Sequence, residues 1–220
     1  MTTAEDTEES AVTVRQPKDA RTDEIDWQTV DHEELKERAL VYSYDLIEAK
    51  TRLIDVEPWV AVITAHIYVD HVLTNLLAEN LKQPNAMLGE QRRKYVLEKL
   101  EICEAMDWIN PEVTPVIRKL NSIRNGLAHN LVFELSKQTT LDLINCLPKV
   151  ARDLVAENHT PTEGQPLASL GHHLQTLLIF LDMNRQQVLL HNYITRLRDR
   201  DLKKAMMNAR DVLRSIQGGS

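Results

Sequence analysis

The chain has 220 residues, 43% hydrophobic and 27% charged, enough to bury one domain core with extensions beyond it. Six glycines, two of them in the Gly218-Gly219 tail, leave no cluster of small residues, which excludes a glycine-rich phosphate loop of the nucleotide-binding type. The net charge of −7 argues against a general nucleic-acid binder, and Cys103 and Cys146 have no companion at metal-ligand spacing, so both read as buried thiols and no cofactor is expected.

Residues 1 to 34 hold eleven acids against three bases, and residues 1 to 26 have so little to bury that a disordered acidic tail is expected. The opening Met1-Thr2-Thr3-Ala4-Glu5-Asp6 lacks the apolar stretch of a secretory signal. No run of about 18 apolar residues is evident, the longest candidate, Leu174 to Leu181, being broken by Gln175 and Thr176. A cytoplasmic protein with no membrane partner is the expectation.

Asp31-His32-Glu33-Glu34 is a capping-box pattern that starts a first helix, with Leu35, Ala39, Tyr42, Leu46, Ala49 and Leu53 on its inner face. Pro58 occupies the favoured first-turn position of a second helix running to about Leu81. That helix is apolar on most sides and belongs at the centre of a bundle. Inside it His66 and Asp70 lie one turn apart, and burying them is costly unless they are paired. Asp70 is therefore either a structural partner for a neighbouring helix or the group that orients Arg124 or His129. As a metal site the pair lacks a third ligand.

The loop Gln83 to Gly89 precedes a helix from Gln91 to Met106, whose Arg92, Arg93, Lys94 and Lys99 suggest a basic surface. Asn110-Pro111-Glu112 then initiates the helix of greatest interest. Val116, Leu120, Ile123, Leu127 and Leu131 form its apolar stripe, while Asn121, Asn125 and His129 follow at i, i+4 and i+8. Arg124 is a permanently charged, forked donor suited to phosphate, and His129 can exchange a proton near neutrality. Together they can cleave RNA without a metal, with Arg118 and Lys119 as further cations for its backbone. Arg124 and His129 stand about 140° apart on an ideal helix, so they need the arginine's reach, a kink at Gly126 or a second subunit to converge. A homodimer with a composite site follows. A histidine near a helix end also interacts favourably with the helix dipole, which is a purely structural account of the same residues.

Thr139 or Thr140 is expected to cap a helix to about Glu157, closing a bundle over residues 31 to 157, and residues 158 to 166 read as a connector. Residues 167 to 217 read as one long helix or a helical pair, with Leu170, Leu174, Leu177, Leu181 and Val188 at heptad-like spacing. This stripe must pack on the core or dimerise. His172, His173 and His191 read as surface or interfacial. Residues 185 to 220 carry eight bases and three acids, an end that attracts phosphate backbone or the acidic tail, unless it is simply a solvated helix face.

The run Leu120-Asn121-Ser122-Ile123-Arg124-Asn125-Gly126-Leu127-Ala128-His129, preceded by Gly89-Glu90-Gln91-Arg92-Arg93-Lys94-Tyr95, resembles the HEPN superfamily, whose signature is Arg-x(4 to 6)-His with a polar residue after the arginine. It looks most like the branch that includes the mannitol operon repressor, over roughly residues 35 to 157. The resemblance implies an all-α bundle and an RNA endonuclease with Arg124, Asn125 and His129 as catalytic residues. Asp70 and Asn121 would support them, and Arg92, Arg93, Arg118 and Lys119 would bind RNA. It further implies a toxin-antitoxin, defence or stress role with a cognate antitoxin. The superfamily also holds inactive assembling domains, so a non-catalytic repressor-like regulator or helical scaffold is the competing expectation. No helix-turn-helix is recognisable.

Overall fold

The computed structural model describes residues 37–89, 94–129, 135–158 and 166–217. Among them every regular element is a helix, so the fold is all-α. The helical residues 37–40 (α1) are followed by α2 (Leu46–Leu53), α3 (Pro58–Asn80), the short α4 (Pro84–Leu88), α5 (Val96–Ala105), α6 (Thr114–His129), α7 (Lys137–Asn145), α8 (Lys149–Asn158) and α9 (Pro166–Gln217).

α3 is the axis of the bundle because its apolar residues leave no polar face. Pro58 begins it, and α2, α4, α5, α6 and α9 all pack against it. Val69, Val72, Leu73 and Leu76 of α3 meet Leu100 and Cys103 of α5, Ile117 and Leu120 of α6, and Leu174, Leu177 and Leu181 of α9 in one core. Each such side chain contributes roughly 1.5–3 kcal/mol on burial. By length and composition α3 could cross a bilayer, which corrects the expectation that no segment could. In the bundle its polar residues have partners: His66 pairs with Asn121, Asp70 with Lys99, and Asn80 with the Leu76 carbonyl.

The expected first helix is interrupted between α1 and α2. Arg185 of α9 donates to the Val41 carbonyl at 2.7 Å, Ser43 donates from both its amide and its hydroxyl to Asp182, and Asp45 accepts from the Ile47 and Glu48 amides to start α2 afresh. Long-range polar contacts override helical periodicity here. The expected loop 83–89 contains α4, and α5 begins at Val96, with the Tyr95 amide donating to Glu98, rather than at Gln91.

The helix expected after residue 139 is two helices. Ser136, not Thr139 or Thr140, caps α7 by accepting from the Thr139 amide, and Pro148, which cannot donate to a helix ladder, separates α7 from α8. Thr140 is buried and donates to the Ser136 carbonyl. α9 is one helix of 52 residues, not a pair. Leu170, Leu174, Leu177 and Leu181 are spent on the core, with α2, α3, α7 and α8 packed along α9. That stripe therefore does not itself require a second chain. The acidic tail of residues 1 to 26, the capping box at 31–34 and most of the 158–166 connector lie outside the described residues.

Candidate functional site

The start of α6 is built by two asparagines. Asn110 accepts from the Glu112 amide at 2.9 Å, and Asn184 of α9 clamps the same loop, accepting from the Asn110 amide and donating to the Trp108 carbonyl. α6 then runs without a break through Gly126 to His129, so a kink at that glycine is not how its polar residues converge. Val116, Ile117, Leu120 and Ile123 are buried, and Leu127 packs against the core; Leu131 lies outside the described residues. Asn121 and Asn125 are half-buried, and Arg124 and His129 are exposed, His129 in the last turn.

Behind this face stands a residue that the motif alone does not indicate. His66 of α3 places Nε2 3.0 Å from Oδ1 of Asn121. With the amide oxygen facing the ring, Nε2 carries the proton and donates, leaving Nδ1 as an acceptor. Burial pushes the His66 pKa below the ordinary histidine value of 6.5; Asn121 works against this, and the Arg124 charge reinforces it. The Arg124 guanidinium donates to Oδ1 of Asn125 at 3.2 Å. Two hydrogen-bonded pairs, His66–Asn121 between α3 and α6 and Arg124–Asn125 on α6, thus stand in electrostatic reach through the Arg124 charge felt at His66. No hydrogen bond links Arg124 to His129 among the described residues, and reach or a second subunit remains for that pairing.

Of the two roles open to Asp70, the geometry supplies the structural one. Its Oδ1 accepts from Lys99 Nζ at 2.6 Å, and Lys99 also donates to Thr74 at 2.8 Å. Lys99 is only 7% exposed, which corrects its assignment to a basic surface. Asp70 contacts neither Arg124 nor His129 in any hydrogen bond or ion pair of the described residues. The sequence signal for His66 was its position as a polar residue in an apolar helix, one turn from Asp70; what it lacked was any indication of which neighbouring helix each would face.

Arg118 and Lys119 sit on α6 but are engaged: Arg118 pairs with Glu104 at 2.7 Å, and Lys119 with Asp142 at 3.5 Å. Such exposed pairs contribute little and can exchange for phosphate. Arg92 and Arg93 lie outside the described residues. Cys103 is buried and its thiol is pushed up to about 12 by burial, so it is inert, while Cys146 is half-buried. Of the three C-terminal histidines, His173 is buried and its Nδ1 meets the Ser169 carbonyl at 2.8 Å, so it is not a surface residue. Arg185, counted above with the basic end, is buried against Glu79 and Asp182 and adds nothing to a cationic surface.

No group of three or more His, Cys, Asp or Glu side chains suited to a metal occurs among the described residues. A surface pocket of ≈ 270 Å³ lined by Glu104, Asp107, Ile109, Pro111, Thr114 and Pro115 lies at the start of α6, at the opposite end from His129. No family model matches the chain, and no curated protein or solved structure matches it.

Proposed function

We propose that this chain is a metal-independent RNA endonuclease of the HEPN type, with its site on the exposed end of α6. The observation that carries the reading is the polar face of Asn121, Arg124, Asn125 and His129 on a helix whose opposite side is core, backed by a histidine held short of its ordinary proton affinity. Polar residues on an outward face contribute little to packing, which leaves them available for chemistry.

In this reading the 2′-hydroxyl of the RNA attacks the adjacent phosphorus. A histidine accepts the 2′-proton, the P–O5′ bond breaks, and the 5′-oxygen is reprotonated, leaving a 2′,3′-cyclic phosphate and a 5′-hydroxyl. His129 serves as the base or acid, Arg124 offsets the charge developing on the phosphorane oxygens, and Asn125 orients the phosphate or His129. Asn121 is steadied by His66. Because Arg124 and His129 project about 140° apart on α6, we assign the active form to a homodimer with a composite site. The physiological setting that fits such an activity is a toxin-antitoxin, defence or stress system with an inhibitory partner protein.

A second reading, a non-catalytic regulator or scaffold, draws on the exposed distal part of α9, which offers a protein-contact surface independent of α6. Expression in a bacterial host separates the two. The nuclease reading expects growth arrest that His129→Ala relieves, whereas arrest unaffected by His129→Ala, or no arrest from well-folded protein, favours the regulator.

A further inference from the structure

α9 is two different helices in environment. Its first part is packed along the bundle as far as Leu189, which is fully buried. From Arg198 to Arg210 every residue is exposed, a length of about 20 Å. The exposure includes large apolar side chains: Leu202 is 61%, Met206 64% and Met207 67% exposed. A solvated helix of that length is marginal by itself, and bare leucine and methionine add to the cost of leaving it uncovered.

The chemistry of this surface is specific. Arg198, Leu202, Met206 and Arg210 recur every four residues and lie along one ridge, with Lys203 beside it. An apolar pair is thus bracketed by cations. A complementary occupant needs acids at its ends and apolar groups at its centre. A second copy of the same ridge does not provide that: antiparallel pairing sets Arg198 against Arg210, and parallel pairing sets each arginine against itself. An RNA backbone matches the cations but leaves Leu202 and Met206 without apolar contact.

We propose that the segment of residues 23 to 34 of the same chain docks on this ridge. It reads Asp23-Glu24-Ile25-Asp26-Trp27-Gln28-Thr29-Val30-Asp31-His32-Glu33-Glu34, six acids interleaved with Ile25, Trp27 and Val30 and no lysine or arginine. The chain joins the described bundle beside the same helix, where Arg185 of α9 donates to the Val41 carbonyl at 2.7 Å. Reach is sufficient. From Arg185 to Leu202 is about 26 Å along the helix, and the 14 steps from Trp27 to Val41 cover about 39 Å with residues 37–40 helical and the remainder extended. Charge complementarity draws the segment to α9, and burial of Trp27 against Leu202 and Met206 holds it there. This contact is independent of the nuclease reading, since it involves no residue of α6.

A photoreactive benzophenone-bearing phenylalanine placed at Leu202 in the full-length protein tests the docking. Irradiation is expected to link position 202 to peptides containing residues 23 to 34 at the mass of a single chain. Neutralising the six acids in that segment should reduce the yield at least tenfold while the helical signal is unchanged. Links at the mass of two chains, whichever segment they capture, would overturn the proposal in favour of a second copy. Capture of added RNA with no link to residues 23 to 34 would overturn it in favour of a nucleic-acid surface. So would a yield that ignores the acids, or the absence of any link.

Discussion

His66 and Asp70 show how two polar residues one turn apart on the same helix acquire different work. Lys99 takes Asp70 into a structural ion pair, while His66 reaches across to Asn121. Replacing Asp70 with alanine leaves the buried Lys99 ammonium with Thr74 alone. The cost expected in urea melts is about 1–2 kcal/mol, below that of a fully buried pair because Asp70 is 40% exposed. For His66 the folded pKa lies below the unfolded one, so in the range between them the unfolded chain binds more protons. Stability contributed by the neutral ring is therefore present above the ordinary value of 6.5 and is lost as pH falls through it towards the folded pKa. Urea melts of wild type and His66→Gln at about pH 8 and pH 5 check this: wild type should lose more stability on acidification, and equal losses would remove the assigned environment of His66.

At the scale of elements, α9 governs the bundle through two contacts. Arg185 is 2% exposed, and it binds Glu79 through paired 2.8 Å hydrogen bonds, Asp182 through Nε and the Val41 carbonyl through Nη2. Burial opposes its charge, but Glu79 and Asp182 outweigh that and raise its pKa. Arg185→Ala removes the ion-pair partner of the half-buried Glu79 and leaves the buried Asp182 with Ser43 and Gln186 as its donors, and should cost about 3–5 kcal/mol in chemical denaturation, with α1 and the 41–45 segment losing protection from amide exchange. Gly171 makes the second contact: a Cβ there would fall on the Leu53 carbonyl oxygen at the end of α2. Backbone cannot yield as a side chain does, so Gly171→Ala is expected to cost about 1–3 kcal/mol and lower the melting temperature. Much of the element order was legible because it follows from local chemistry: Pro58 opening α3, the apolar stripe of α6, the helical character of residues 167–217, though not that they form a single helix. The interruption at residues 41–45 was not, because Tyr42 and Leu46 keep helical spacing and only the remote Asp182 and Arg185 break it. The separation of α7 from α8 has a local signal in Pro148, which cannot donate to a helix ladder. On the site, Arg124, Asn125 and His129 stand on one helix as their spacing requires, whereas the His66 contact depends on how α3 faces α6, which no spacing within either helix specifies.

At the scale of the whole molecule, the core closes within one chain, since the leucines of α9 that looked available for dimerisation are buried against α3. The case for two copies then rests on the divergence of Arg124 and His129. Light scattering at micromolar concentration should return a dimer. A monomer would confine the chemistry to groups that one chain brings together, His66 with Asn121 and Arg124 with Asn125. The central claim is that α6 carries a nuclease site, and its most direct measurement is cleavage of a broad RNA panel by full-length protein in the presence of chelator, with the new ends identified chemically. Wild type is expected to generate 2′,3′-cyclic phosphate ends, and Arg124→Ala and His129→Ala to be slower by about 100-fold or more with unchanged circular dichroism. No cleavage of any RNA by wild type, or cleavage by His129→Ala at the wild-type rate, would contradict it.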